Sequence, residues 1–483
     1  MKIIRDQHAS AGRVRQIPES ARIAAAATEA VERVALCPKS RQLYDVAVPR
    51  YTSYPTAPHF HSGVTADTYG DWLAGIGENA ALSLYFHVPF CKAMCWYCGC
   101  HTRVVSRYGP VAEYAALLNR EIALVAGALQ AAPLVTNVHW GGGTPTMLAS
   151  DDFSELMAET RRHFRFADDA EVAVEVDPRT LTGTMAEAMA AAGVTRASLG
   201  VQDFNDHVQQ AINRVQPLAV TAEAAGRLRA CGISALNFDL MYGLPGQTVA
   251  DVVRTVDLAL TLAPDRLALF GYAHVPWMKT NQRMIDEAML PGGAERLTQA
   301  EAAAARLVHH GYRRIGLDHF ARPDDGLTQA MDDGRLRRNF QGYTTDRAAV
   351  LLGFGASAIG SLPQGYVQNE VPLAAYGRAV TAGRLAAVRG IELTADDRLR
   401  REIIERLMCG LEVDLEATAT AHGADETFAA EVKRLSAMVA EGVVEISGPR
   451  VRVSERGRPL MRTVAAVFDR YLETGKARHS RAI

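Results

Sequence analysis

Four of the seven cysteines in this chain, Cys91, Cys95, Cys98 and Cys100, fall in one short stretch, His-Val-Pro-Phe-Cys-Lys-Ala-Met-Cys-Trp-Tyr-Cys-Gly-Cys, with gaps of three, two and one residues. Thiolates are soft ligands, and three of them on so short a loop can meet three corners of an iron-sulfur cube. The fourth iron is then open to chelate a substrate or cofactor. A structural zinc site draws its ligands as two separated pairs, and Cys37, Cys231 and Cys409 stand alone, so zinc is the alternative metal for this loop rather than the leading one. Met94, Trp96 and Tyr97, inside the loop, would shield such a cluster from water. The odd cysteine count suits a reducing, cytoplasmic compartment, with Cys231 and Cys409 as small buried apolar residues.

A second group of polar residues recurs at the ends of apolar runs. His139-Trp140-Gly141-Gly142-Gly143-Thr144-Pro145-Thr146 offers three glycines through which backbone can approach a ligand closely. Glu175-Val176-Asp177-Pro178, Gln202-Asp203, Asn237 to Asp239 and Tyr272-Ala273-His274 follow, and Tyr85 precedes the cysteines. Each has an ordinary structural reading as a tight turn, a cap, an ion pair or a core aromatic. Their repetition at successive strand ends favours a site. His87, His101 and His319 lack a partner at metal-ligand spacing and read as hydrogen-bonding residues.

These groups need a scaffold that lines them up. From about Ala81 to Gly360, short runs of Val, Ile, Leu and Phe alternate with segments of helical period, the pattern of repeated βα units around a parallel sheet. The expected strands are Leu82–His87, Val135–Trp140, Glu171–Asp177, Arg196–Val201, Ser234–Met241, Arg266–Tyr272 and Tyr312–Leu317. Ser150 is expected to cap a helix carrying Phe153, Leu156, Met157 and Phe164; a second helix starts at Pro110 and a third ends at Gly193. In parallel βα folds, functional groups collect at the carboxyl ends of the strands.

Beyond Thr394 the character changes. A helix opened by Thr394 and Asp397, another over Thr427–Ala440, and two strands around Ser447-Gly448-Pro449 suggest a winged-helix-like domain. The basic tail, Arg456 to Arg481, holds only Phe468 and Tyr471 as aromatic residues and shows no regular aromatic interleaving of its charges, so a solvated tail is preferred over nucleic-acid binding. A net charge of -2 over 483 residues and a 48% hydrophobic composition argue for an ordinary globular protein. No apolar run reaches the roughly 20 residues of a membrane span. Ala21 to Cys37 reads as an N-terminal amphipathic helix, without the features of a secretion or mitochondrial signal.

The three-two cysteine spacing resembles the signature of the radical S-adenosylmethionine enzymes. Within them, the chain is similar to the oxygen-independent coproporphyrinogen III oxidases. The resemblance begins at Arg50-Tyr51-Thr52-Ser53-Tyr54-Pro55-Thr56 and runs on through the motifs above to Tyr242-Gly243-Leu244-Pro245, Asp318 to Asp325 and Asn339 to Thr345. Related haem chaperones share much of the core but typically have phenylalanine where this chain has Cys100, and they lack the Arg50 to Thr56 segment. A haem-transferring protein of the same superfamily is therefore the alternative reading. The resemblance implies an α/β fold: a partial (β/α) barrel with a smaller, mainly helical C-terminal domain. The expected division is 1–45, an extension; 46–365, the catalytic domain; and 366–483, the C-terminal domain. It further implies a [4Fe-4S] cluster on Cys91, Cys95 and Cys98, with Cys100 nearby but not a ligand, and two S-adenosylmethionine molecules. Tyr85, Gly142, Glu175 and Ile359 match positions around the first molecule. Tyr97, Gly143, Thr144, Gln202, Arg214, Asp239 and Ala273 match positions around the second. The implied activity turns two propionates of coproporphyrinogen III into vinyl groups through a 5'-deoxyadenosyl radical, in a monomer served by an electron donor such as flavodoxin or ferredoxin. A tetracarboxylate substrate needs cationic partners, and Arg50, Arg322, Arg337 and Arg338 are candidates.

Overall fold

The structure, a computed structural model, describes residue 32, residues 43–472 and residues 479–481. Apart from Glu32, the expected helix at Ala21–Cys37 lies outside these, as do Lys476 and Arg478 of the basic tail.

Six strands run parallel in chain order: β1 (Ala81–Val88), β2 (Leu134–Gly142), β3 (Arg165–Val176), β4 (Arg196–Gln202), β5 (Ala235–Tyr242) and β6 (Arg266–Gly271). Between them lie helices α1 (Gly109–Ala128), α2 (Ser150–His163), α3 (Gly183–Ala191), α4 (Leu218–Ala230) and α5 (Val249–Leu260). Pro110 opens α1 and Gly193, at φ +84°, follows α3, as the proline-in, glycine-out asymmetry requires. Ser150 does not cap α2. It is the first helical residue, Ala149 holds the cap position without a side-chain bond, and the Ala149 amide instead donates to the Tyr108 hydroxyl at 2.7 Å.

The expected seventh strand shrinks to β7 (Arg313–Ile315) and is not parallel: it pairs antiparallel with β8 (His319–Ala321), which pairs antiparallel with β6. On the other side, β9 (Val350–Phe354) joins β1 in parallel, then β10 (Ile359–Ser361), β11 (Gly365–Asn369) and β12 (Ala387–Glu392) add antiparallel strands. The sheet has 12 strands and its end strands β12 and β7 do not pair, so the barrel is partial. β11 and β12 carry this sheet past residue 365.

Along each parallel strand, alternate residues face opposite ways. Leu82, Leu84, Phe86 and Val88 of β1 are buried under the helices, where Trp140 lies 4.2 Å from the Phe86 ring and 5.2 Å from that of Phe153. Ser83 and Tyr85 face the other way, into the cavity inside the barrel. The same parity holds on β4, where Ala197, Leu199 and Val201 are buried while Arg196, Ser198 and Gly200 line the cavity.

The C-terminal part has its own core. Helix α6 (Gly293–His309) belongs mostly to the barrel, but its Leu297 joins Tyr44, Tyr51 and Tyr54 in packing on Leu399, Ile403 and Leu407 of α7 (Ala395–Gly410). Thr394 and Asp397 form the expected capping box on α7. The expected helix at Thr427–Ala440 is two, Ala429–Arg434 and Ser436–Ala440, and a helix at Leu415–Ala421 precedes them. A third short strand, Glu412–Asp414, joins the expected pair Val444–Ser447 and Arg450–Val453 to complete a winged-helix-like arrangement. Tyr51 Oη donates to Asp469 at 3.0 Å, tying the chain before the barrel to the chain after it.

Candidate active site

The cysteine loop leaves β1 and curls over the mouth of the barrel. Cys91, Cys95, Cys98 and Cys100 all line one cavity of about 560 Å3. Local backbone bonds shape the loop: Cys98 N donates to Cys95 O at 3.2 Å and Trp96 N to Ile212 O at 3.0 Å. A later segment then clasps it. Asn281 Nδ2 donates to the carbonyls of Cys95, Trp96 and Cys98 at 3.0–3.3 Å, and Gln282 Nε2 to those of Tyr97 and Ala273 at 2.8 and 3.1 Å. Nothing in the spacing of the sequence marks Asn281 and Gln282 as partners of the loop.

The sulfurs sit among donors. Thr102 Oγ1 donates to Cys91 Sγ at 3.1 Å, and Cys100 N donates to Cys98 Sγ at 3.4 Å. Two guanidinium groups reach Cys95 Sγ, Arg214 Nη1 at 3.5 Å and Arg179 Nη2 at 3.7 Å. Burial pushes the Cys91 thiol up. The Cys98 thiol falls to about 7, first through its bond with the Cys100 side chain and despite desolvation. Burial would lower the Arg214 pKa, but Tyr97, Asp177 and Cys95 outweigh it and hold the group charged. Among the described residues no three His, Cys, Asp or Glu groups converge tightly enough to hold a metal ion. Three thiols spread around an opening, with cations and hydroxyls directed at sulfur, fit a multi-iron cluster whose negative charge needs such partners.

The glycine run ends β2 and makes the opposite wall. Gly142 has φ +112°, and a Cβ there would lie 2.7 Å from the His87 ring; a Cβ on Gly143 would lie 2.6 Å from Thr102 Oγ1. Larger residues would push the turn into the loop. Glu175, at the end of β3, accepts from Gly142 N at 3.1 Å and pairs with His139 at 3.2 Å, so it fixes the turn. Tyr85 is pinned by its hydroxyl to His87 Nδ1 at 2.9 Å; the other ring nitrogen of His87 meets His101 O at 2.9 Å, and burial lowers the His87 pKa.

Further round, Gln202 ends β4 at φ +68°, a strained conformation for a residue with a side chain. Arg214 Nη2 donates to Gly200 O at 2.6 Å, and its buried Nε has no hydrogen-bond partner. Asp239 accepts from Ser198 Oγ at 3.0 Å and Asn237 Nδ2 at 2.9 Å, and burial, reinforced by Glu175, raises its pKa to about 6. Tyr85, Tyr97, Gly142, Gly143, Thr144, Glu175, Gln202, Arg214, Asp239 and Ala273 therefore line one space with the cysteines. Ile359 does not line it. Its backbone is packed against Gly353, which stands in register with Tyr85. Of the arginines, Arg50 lines the cavity while donating to Gly271 O at 2.7 Å, and Arg322 does not.

Comparison with known proteins places this architecture in a class. Residues 85–259 match the Radical SAM superfamily model, and residues 393–460 match the model of the HemN C-terminal domain. The superfamily works with a [4Fe-4S] cluster and S-adenosylmethionine, which the donor set described above fits. The oxygen-independent coproporphyrinogen III oxidase of Bradyrhizobium diazoefficiens is 54% identical over 90% of this chain and 97% of its own length. That of Paracoccus denitrificans is 43% identical over 91% and 98%. The solved coproporphyrinogen III oxidase of Escherichia coli, described as a radical SAM enzyme, superposes with a TM-score of 0.83 at 39% identity, covering 87% of this chain and 97% of its own. The chain belongs to the oxygen-independent coproporphyrinogen III oxidase family.

Proposed function

We propose that this protein oxidatively decarboxylates two propionate side chains of coproporphyrinogen III to vinyl groups without oxygen, giving protoporphyrinogen IX for haem synthesis. The observation that carries this reading is the convergence of the cysteine loop, the glycine turn and the strand-end polar residues on one cavity, in a chain 54% identical to a named oxidase over 97% of that protein.

Cys91, Cys95 and Cys98 are the proposed ligands of three cluster irons, supported by the donors directed at their sulfurs. Two S-adenosylmethionine molecules are proposed. Tyr85, Gly142 and Glu175 are proposed around the first, with Ile359 set behind Tyr85 through Gly353 rather than on the cavity wall, and Tyr97, Gly143, Thr144, Gln202, Arg214, Asp239 and Ala273 around the second. The unmet Nε donor of Arg214 supports an anionic group of the second molecule at that place. When bound, cluster and cofactor supply a one-electron cleavage that yields a hydrogen-abstracting 5'-deoxyadenosyl radical.

The chain's own residues do the rest. Glu175 holds the glycine turn open, Arg179 and Arg214 balance negative charge at the sulfurs, and Asn281 with Gln282 fixes the loop as a lid on the barrel. An electron donor such as flavodoxin or ferredoxin, a monomeric state and a cytoplasmic location complete the reading.

The test is anaerobic turnover. Cluster-reconstituted protein given a reductant, S-adenosylmethionine and coproporphyrinogen III should form 5'-deoxyadenosine and protoporphyrinogen IX together. Stable haem binding with no vinyl product would overturn the oxidase reading in favour of haem transfer.

A further inference from the structure

A second cavity, of about 310 Å3, lies behind the hairpin Arg337–Asn339 and Gly342–Thr344. Its walls are the segment Tyr51–Tyr54, that hairpin with the following Arg347, and helix α7 through Arg401 and Glu405. Asn339, Phe340, Thr344, Asp346 and Leu351 line both this cavity and the central one, so the two spaces share a wall.

Their charges differ. The five arginines of the central cavity face five carboxylates, Glu171, Glu175, Asp177, Asp239 and Asp346. In the second cavity four arginines, Arg337, Arg338, Arg347 and Arg401, face only Asp346 and Glu405. Glu405 is taken by Arg337 at 3.0 Å, and Asp346 accepts from the Ser83 hydroxyl and from Ala348 N. Arg347 and Arg401 have no ion pair or side-chain hydrogen bond among the described residues. Arg338 is the buried member of the group. Its side chain is 5% exposed and lies 4.5 Å over the Tyr343 ring; Nη1 pairs with Asp318 at 3.7 Å, and neither Nε nor Nη1 makes a hydrogen bond. With Arg337 and Arg338 each paired to a carboxylate, Arg347 and Arg401 leave this cavity an excess of positive charge, and the planar guanidinium fork suits a carboxylate.

The substrate supplies carboxylates at the right place. On the reading proposed above, on which this inference rests, four propionates enter and two leave as vinyl groups, so two carboxylates survive. We propose that the arginine cavity holds the two surviving propionates, while the ring edge that reacts crosses the shared wall into the central cavity. Those carboxylates are present on substrate, half-reacted species and product alike, so the grip of Arg338, Arg347 and Arg401 is the same throughout both decarboxylations.

The test titrates stable oxidised porphyrins into cluster-loaded protein, followed by absorbance and fluorescence. Coproporphyrin III carries all four propionates, protoporphyrin IX only the surviving two, and protoporphyrin IX dimethyl ester neither in charged form. The double variant Arg347→Ala/Arg401→Ala should weaken coproporphyrin III and protoporphyrin IX alike, by about tenfold or more for lost charge-assisted bonds. Exposed Arg347→Ala alone should cost about threefold, since solvent screens that pair. The dimethyl ester should bind wild-type protein weakly and be indifferent to the variants. Loss of coproporphyrin III affinity with protoporphyrin IX unchanged would show that the cavity holds the reacting carboxylates, overturning the proposal; so would unchanged affinity for both. Wild-type protein that binds none of the three porphyrins would instead tell against the substrate itself.

Discussion

The two faces of the parallel strands do opposite work. On the outer face of β1, β2 and β4, Phe86, Trp140 and Leu199 are fully buried and pack against helices. On the inner face of the same strands, Tyr85, His139 and Ser198 line a cavity, one residue away in sequence from those apolar neighbours. In a closed eight-stranded barrel the interior is itself a packed apolar core. Here the inner face is polar and the barrel is open, so the helices carry the stability and the interior is released for chemistry. Parity along a strand, more than position in the chain, therefore separates residues that fold the protein from residues that use it.

This comparison can be broken in four places. The largest effect is expected at the inner mouth: Cys95→Ser should abolish cluster colour and lower turnover at least about a thousandfold. The melting temperature of the cluster-free protein should not change; a large loss of stability there would mean that the loop also supports the fold. On the outer face, Trp140→Ala should destabilise by about 3–5 kcal/mol in denaturant unfolding, because a ring stacked on Phe86 and tilted against Phe153 leaves a cavity that cannot collapse. A cost below about 1 kcal/mol would contradict the assignment of stability to this layer.

Glu121 of α1 sharpens the contrast as a buried ionisable group in the helical layer. It accepts from Gly355 N at 2.6 Å, Tyr376 Oη at 2.7 Å and Asn369 Nδ2 at 2.7 Å, and burial raises its pKa from 4.5 to about 7. A folded pKa above the unfolded one means that the native state binds the proton more tightly. The stability it contributes is present in full below pH 4.5 and is lost as pH rises through about 7. The cost approaches about 3 kcal/mol at the alkaline end. Glu121→Gln should flatten that slope in unfolding curves recorded across this window, and an unaltered slope would remove Glu121 as its source. The smallest effect belongs to neither face. Thr394→Ala deletes the capping box of α7 and should cost about 1 kcal/mol, without altering cofactor affinity.

How much of this was legible in sequence follows the range of the interactions. β1, β2, β4, β5 and β6 lie within two residues of their expected bounds, because buried parallel strands are short apolar runs between turn signals. The cysteine loop and the glycine turn were legible because their function fixes spacing. The antiparallel strands β10 to β12 were not, since Ile359–Ser361 and Gly365–Asn369 are too short and too polar for any periodicity. Ser150 misled because a serine one residue inside a helix looks like a cap in sequence. Arg179 is visible as part of the Glu175 to Arg179 motif, but its reach to Cys95 across 84 residues of chain depends on the sheet. Arg347 and Arg401 belong to the same category, brought together only when α7 docks on the barrel.

The clasp on the cysteine loop sets an order of events during synthesis. Asn281 and Gln282 hold carbonyls that leave the ribosome some 183 to 186 residues earlier. At ordinary translation speeds that gap lasts on the order of ten to forty seconds. For that time the nascent thiols are made but not yet held in their final geometry, exposed to oxygen and stray metals. A protein built for anaerobic chemistry thus passes through its most vulnerable moment before it is complete.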